Sequence, residues 1–201
     1  MKKLTRIEIE QMIASGSELN FENAVLSNLD LSNLDLSGAN FEWHDFHAVK
    51  LNGTNLEGAN LQNTKLQGAR LKGARLKGAN LQEADLRGAI LQGANLQGAN
   101  FKAAYLSCTQ LDGANLKEAC LKSAWMEGVN LEGANLEKAN MKHATLQFAN
   151  LENANLEGAD LYMANLWKAN FEGAVLQGAN MERATLDDAN FKGTILELEV
   201  A

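Results

Sequence analysis

The chain has 201 residues and a formal net charge of −7, with no proline and two cysteines. This length fits one domain with a substantial core. No stretch of 18 or more apolar residues occurs, so membrane insertion as a spanning helix is excluded. The excess of acidic residues argues against sequence-specific or general nucleic-acid binding, because phosphates are bound through basic side chains.

Residues 1–18 are predicted to form an N-terminal cap that holds a short helix over about 6–15. Thr5 and Glu8 have the spacing of a capping box, in which each side chain binds the backbone amide of the other residue. The helix is expected to cover the open edge of the structure that follows. The side chains expected to face that structure are those of Ile7, Met12 and Ile13.

A five-residue repeat begins at Phe21 and continues without interruption to Leu196. Every fifth residue is Leu, Phe or Met, at 36 positions without exception. The residue two places earlier is Ala at 26 of these positions, and the residue between them is Asn or Asp at 22. Sixteen of the 17 glycines lie two places after the large apolar residue, as in "GANLQ" at 93–97.

A period of five fits neither the 3.6 of an α-helix nor the 2 of an extended strand. It fits a short triplet whose first and third residues point inward, followed by a corner at which glycine permits the turn. One unit buries only an Ala and a Leu, which does not offset the entropy lost on ordering five residues. Stacked units build continuous columns of buried side chains, so the repeat predicts a solenoid.

A second period of 20 residues sets how many units make one coil of the solenoid. When corner residues are sorted into columns of positions 20 apart, glycine fills much of the column from Gly53 to Gly193. It is absent from the column that runs from Trp43 to Arg183. The period predicts four faces per coil, about nine coils and, at ~4.8 Å between strands, a rod roughly 43 Å long. In the column without glycine, the backbone is expected not to need a glycine conformation.

These units resemble those of the pentapeptide repeat family, and the resemblance covers about 21–196. It implies an all-β fold, a right-handed quadrilateral parallel β-helix, here assigned to residues 19–199. The biochemical role of that family is mostly unassigned. Its best-known branch protects or inhibits DNA gyrase as a DNA-shaped dimer, which gives one hypothesis for this chain.

No combination of residues in the sequence indicates catalysis, a cofactor or a metal. The three histidines, His44, His47 and His143, have no spacing that suggests a triad or a zinc site. The two cysteines, Cys108 and Cys120, are interpreted as free thiols of a reducing compartment. Together with the lack of a secretory signal, they predict a cytoplasmic protein that is not an enzyme.

Exposed aromatic residues concentrate on one side of the predicted coil. They occupy positions 2 to 8 of the 20-residue period and are called the aromatic strip: Trp43, Tyr105, Trp125, Phe148, Tyr162 and Trp167. Tyr105 and Trp125 are 20 apart and are expected to stack on adjacent coils. The strip predicts a surface that binds another protein, because exposed aromatic clusters mark interaction sites. The alternative is that these rings only stabilise the corner on which they stand.

Charge changes sign along the predicted rod. Residues 1–49 carry −5, residues 50–102 carry +5 and the remainder carries −7. Acidic residues in one column, Asp112, Glu132, Glu152 and Glu172, are interpreted as a solvated face, with mimicry of a phosphate backbone as the alternative. A DNA mimic is expected to be acidic along most of its length, whereas a basic band interrupts this rod.

The predicted C-terminal end has no helix to cover its edge. The apolar Ile195, Leu196 and Leu198 leave two possibilities, an end-to-end homodimer or a monomer whose tail folds over its own end. The sequence thus favours a non-catalytic, rigid protein-interaction scaffold. The alternatives are a DNA-mimicking modulator of DNA gyrase or topoisomerase and a purely structural spacer.

Overall fold

A computed structural model of the chain describes residues 2–16, 19, 21 and 24–194. In these residues the regular elements are β1 (Lys2–Lys3), α1 (Arg6–Ala14) and β2 (Ala24–Val25). The rest is a β-solenoid whose coils are joined by single-residue parallel bridges. No helix in the described part of the chain is long and apolar enough to cross a membrane.

Each bridge of the solenoid joins a residue to the one 20 further on, from Asp30 with Lys50 to Asn170 with Asn190. One coil therefore takes 20 residues, which is the period present in the sequence. The backbone groups are paired between coils: the amide of Leu91 donates to the carbonyl of Gln110 at 2.7 Å. Within each unit a tight turn adds a further bond, as from the amide of Ala94 to the carbonyl of Leu91 at 3.0 Å.

The core is a column of large apolar side chains on each face, packed beside smaller inward residues. From Phe21 to Phe171, every fifth residue is at most 1% exposed. Three inward threonines, at 54, 64 and 109, are also buried, and each hydroxyl donates to a backbone carbonyl at 2.6–2.9 Å. Exposure rises only in the last described coil, where Leu186 is 38% exposed, because no described coil covers it.

Ladders of asparagine side chains hold neighbouring coils in register, as the super-period of asparagine indicates. At Asn150, the side-chain Nδ2 donates to Oδ1 of Asn130 at 3.2 Å. Oδ1 of Asn150 accepts from the amide of Glu152 at 3.2 Å and from Nδ2 of Asn170 at 3.3 Å. Each such asparagine both closes its own turn and binds the coils on either side.

The corner backbone is the same in every unit, which corrects one expectation. Every fifth residue from Asn28 to Gly193 has a positive φ, between +53° and +70°, including 18 residues that are not glycine. The column without glycine is no exception, since φ is +64° at Trp43 and +55° at Ala103. The unit's hydrogen bonds dictate this left-handed conformation, and glycine only adopts it at a lower energy.

The N-terminal helix starts as predicted but turns a different side to the core. The capping box is present: Thr5 Oγ1 accepts from the amide of Glu8 at 3.3 Å, and Glu8 Oε2 accepts from the amide of Thr5 at 2.8 Å. Ile9 is completely buried and Ile13 packs partly against the core. The expectation for Ile7 is wrong, because it is 65% exposed. Two residues before Ile9, it lies about 200° around the helix.

A strand that the sequence did not reveal also covers the first coil. β1 pairs in parallel with β2, with Lys2 opposite Ala24 and Lys3 opposite Val25. This pairing extends the solenoid by one short strand and blunts its N-terminal edge.

Two side chains supply donors to carbonyls near this edge. Arg6 Nη1 donates to the carbonyls of Asp30 at 3.0 Å and Ser32 at 3.2 Å. Nε2 of His44 lies 2.7 Å from the carbonyl of Phe21. His44 occupies an inward position that alanine usually fills, and the polar contact accounts for its presence there. The predicted C-terminal interface at Ile195, Leu196 and Leu198 lies outside the described residues.

Candidate interaction surface

The six residues of the aromatic strip differ in exposure. Trp43 is 72% exposed, Trp125 53%, Phe148 48% and Tyr105 45%, whereas Tyr162 and Trp167 are half-buried. Such exposure of large rings is unusual in a rod whose other large apolar side chains are nearly all inside.

Tyr105 and Trp125 form the centre of the surface. They are bridge partners on adjacent coils, and their ring centroids lie 6.4 Å apart with an interplanar angle of 12°. Both stand at the central position of a unit, where asparagine is the usual residue. The stacked rings therefore replace an asparagine ladder with an aromatic one, as the spacing of 20 predicts.

Two further aromatic pairs flank the continuation of this column. Trp125 is followed in the column by Thr145 and Asn165. On one side Phe148 meets Trp167 edge to face, with centroids 4.8 Å apart, and the list of ring contacts is completed on the other side by His143 with Tyr162 at 6.0 Å. The small polar residues of the column thus lie between two raised aromatic edges.

Cations stand over both flanking pairs. The ammonium of Lys168 lies 4.5 Å from the ring centroid of Trp167 and 6.0 Å from that of Phe148. The guanidinium of Arg183 lies 5.9 Å from the ring centroid of Tyr162. These cation–π contacts hold the rings in place on the outside of the rod.

Trp43 stands apart from the other five residues. In the part of the chain that the structure describes, its ring contacts none of theirs. Between it and Tyr105 the central column carries charged residues, because Asp45 bridges to Lys65, Lys65 to Asp85 and Asp85 to Tyr105. The aromatic strip is therefore one cluster of five residues, called the aromatic cluster below, and a separate tryptophan.

A column of three lysines borders the aromatic cluster and was missed in the sequence. Lys102, Lys122 and Lys142 occupy the same position in three successive coils, three residues before Tyr105, Trp125 and Thr145. Lys142 binds Asp160 at 2.9 Å, whereas Lys102 and Lys122 are exposed and form no ion pair with any described residue. Sorting the charged residues by the period of 20 would have revealed this lysine column.

The environment of Asp160 shows the effect of the lysine column on its neighbours. Burial raises the pKa of this carboxyl, but hydrogen bonds from Lys142 and from the amide of Tyr162 outweigh it. The pKa of Asp160 consequently lies below its ordinary value, and the carboxylate is charged at neutral pH.

The described residues contain no group of three or more His, Cys, Asp or Glu that could hold a metal ion. Cys108 is exposed and Cys120 is half-buried, and both are free thiols. The chemistry concentrated on this face is thus that of binding: aromatic surface, cations and hydrogen-bonding groups.

The fold and this surface define a β-solenoid of five-residue units with one aromatic side. A family model described as pentapeptide repeats, in eight copies, matches residues 17–53, 54–93, 94–133, 126–161 and 154–193. The chain belongs to the pentapeptide repeat family, as the resemblance of its units indicated. Proteins of this family are generally structural or interaction proteins rather than enzymes.

Several solved structures are similar to this chain. HetL, a pentapeptide repeat protein involved in heterocyst differentiation regulation in the cyanobacterium Nostoc sp. strain PCC 7120, is 32% identical; 96% of this chain and 97% of HetL are covered, with a TM-score of 0.51. QnrB1, a plasmid-mediated fluoroquinolone resistance protein, is 19% identical, with 84% and 92% covered and a TM-score of 0.47. Comparison with curated protein sequences gives no significant match.

Proposed function

We propose that the chain is a non-catalytic, cytoplasmic scaffold that binds another protein through the aromatic cluster. In this proposal residues 1–18 form a cap on a rod over 19–199, a right-handed quadrilateral β-helix of about nine coils. One observation carries the proposal. Five aromatic side chains and three stacked lysines gather on one face, where neither the core nor the coil register requires them.

The physical properties of this surface suit recognition of a protein. Aromatic residues carry much of the energy of protein interfaces, because they bury a large area and lose little conformational entropy. The rings are held by contacts with each other and with Lys168, so little further ordering is needed on binding. HetL, which is similar over nearly its whole length, is involved in regulation, a role in keeping with binding.

The lysine column specifies the charge of the partner. Lys102 and Lys122 have no carboxylate partner among the described residues, and an acidic surface would neutralise both. Such charges at the border of an interface mainly accelerate association and select partners, whereas buried rings supply affinity. The partner is therefore a protein with an apolar patch beside acidic residues.

The test is an affinity pull-down from native lysate with three forms of the full chain: wild type, Tyr105→Gln/Trp125→Gln and Trp43→Gln. Trp43 is the matched control, because it is an exposed tryptophan outside the aromatic cluster. We expect wild type and the control to retain the same proteins and the double variant to lose them. Thermal unfolding of all three verifies that the fold is kept. Equal retention by the double variant would contradict the proposal and leave the spacer hypothesis.

The gyrase hypothesis rests on a different part of the surface, the acidic column at Asp112, Glu132, Glu152 and Glu172. Part of that charge is neutralised, since Lys192 binds Glu172 at 2.8 Å and Lys117 binds the nearby Glu137 at 2.8 Å. Both features weaken a continuous phosphate-like array. A supercoiling assay with added protein separates the two functions, because inhibition or drug protection by the double aromatic variant would favour the DNA mimic.

A further inference from the structure

A depression of about 540 Å³ lies on a different side of the rod from the aromatic cluster. Four successive coils contribute to it, and its lining includes Asn33, Asn52, Arg70, Lys72, Ile90 and Gln92. We propose that this depression is a binding site for a small phosphomonoester. The proposal does not depend on the protein-binding function of the aromatic cluster.

The depression exists because the corner beside it lacks side chains. Gly53 lines it, and the following residues of the same column are Gly73 and Gly93. Asn33, one coil earlier, closes one end: its Oδ1 lies 2.5 Å from the position that a Cβ of residue 53 would take. A side chain at 53 would therefore displace Asn33 and fill the opening.

The charge of the depression is positive and uncompensated. Neighbouring cations are paired, Lys50 with Asp30 at 3.4 Å and Arg75 with Glu57 at 2.8 Å. Arg70 and Lys72, in contrast, are exposed, and neither forms an ion pair with a described residue. No carboxylate lines the depression, so an anion entering it meets attraction from both cations without competition from an acidic side chain.

The lining groups are mainly hydrogen-bond donors. Arg70 offers a planar guanidinium that matches two phosphate oxygens, and Lys72 offers a compact ammonium. Oδ1 of Asn52 already accepts from the amide of Lys72 at 3.1 Å, which leaves the Nδ2 of Asn52 as a donor. Such a set of groups selects a ligand rich in acceptors, which describes a phosphate.

One apolar residue indicates that the ligand also has an organic part. Ile90 lines the depression in a column whose neighbouring members are Arg70 and Gln110. Nothing in the core requires isoleucine at this outward position, where its side chain offers an apolar wall. A phosphomonoester with an apolar group would contact Ile90 while its phosphate binds the two cations.

The same corner provides a natural contrast two coils further on. A second depression, of about 340 Å³, is lined there by Asp112 and Glu132 together with Gly113 and Gly133. Glycine thus creates the opening in both places, while the charges around it are opposite. Only the first is suited to an anion.

The test is calorimetric titration of the full chain with phenyl phosphate and with inorganic phosphate, at constant ionic strength. We compare wild type with Arg70→Gln/Lys72→Gln and with the control Lys65→Gln/Lys77→Gln. The control removes two exposed cations of the neighbouring units that do not line the depression. We expect saturable 1:1 binding of phenyl phosphate to wild type and control, and at least tenfold weaker binding to the first variant.

A third variant, Ile90→Ser, tests the apolar contact. It should bind phenyl phosphate and inorganic phosphate with equal affinity, whereas wild type should prefer phenyl phosphate. Absence of saturable binding to wild type would overturn the proposal. Equal weakening in the control would overturn it as well, because it would show that diffuse charge rather than the depression attracts phosphate.

Discussion

The left-handed corner offers a measurement of what glycine contributes to this fold. Gly73 has φ +64°, and a Cβ built there meets no atom within 4 Å. Gly73→Ala therefore changes conformational energy without a steric clash. Ala103 has φ +55° at the equivalent place in another column, so Ala103→Gly is the reverse exchange in the same backbone.

The size of the effect follows from two opposing contributions. A Cβ in the left-handed region costs about 1–2 kcal/mol, while alanine lowers the entropy of the unfolded chain and recovers about 0.4–1 kcal/mol. We expect Gly73→Ala to lower the free energy of unfolding by about 0.5–1 kcal/mol and Ala103→Gly to raise it by a similar amount. For a chain of this size that corresponds to Tm changes of about 1–4 °C.

Denaturant and thermal unfolding of both variants and of Gly53→Ala provide the assay. Gly53→Ala should be the most destabilised, because its Cβ would also collide with Asn33. Removal of that contact in Asn33→Gly/Gly53→Ala should restore stability to the level of Gly73→Ala. Destabilisation by Ala103→Gly would refute the reasoning, since it would mean that the alanine at this corner contributes contacts that outweigh its backbone strain.

Three further perturbations test the cap, the ladders and the ion pairs. Ile9→Ala should lower the free energy of unfolding by about 2–4 kcal/mol, whereas Ile7→Ala should change it by less than about 0.5 kcal/mol; equal effects in denaturant unfolding would contradict the observed helix face. Asn150→Ala removes three hydrogen bonds and should cost about 1–2 kcal/mol by the same measurement. The pKa values of Asp85 and Asp160 lie below their ordinary values, because hydrogen bonds from Arg87 and Lys142 outweigh the effect of burial. Carboxyls with lowered pKa stabilise the fold above the unfolded value of about 3.9 and lose that contribution as pH falls further, so Tm should decline below about pH 4, and a constant Tm down to pH 2 would contradict this.

The sequence alone determined the solenoid and its register. A buried residue at every fifth position and the super-period of 20 are repeated many times, and each coil repeats the same contacts with its neighbours. The stacking of Tyr105 on Trp125 followed from the same rule, because residues 20 apart must be adjacent. The lysine column was equally accessible, since it obeys that period.

Only the tertiary structure decided the features that occur once. The burial of Ile9 in place of Ile7, the pairing of β1 with the first coil and the contact of His44 with the carbonyl of Phe21 all belong to one edge. A contact made once leaves no periodic signal, and the packing of a cap depends on how its surface fits the coil below. The separation of Trp43 from the aromatic cluster and the unpaired state of Arg70 and Lys72 likewise depend on which side chains reach one another across coils, which the spacing of residues does not specify.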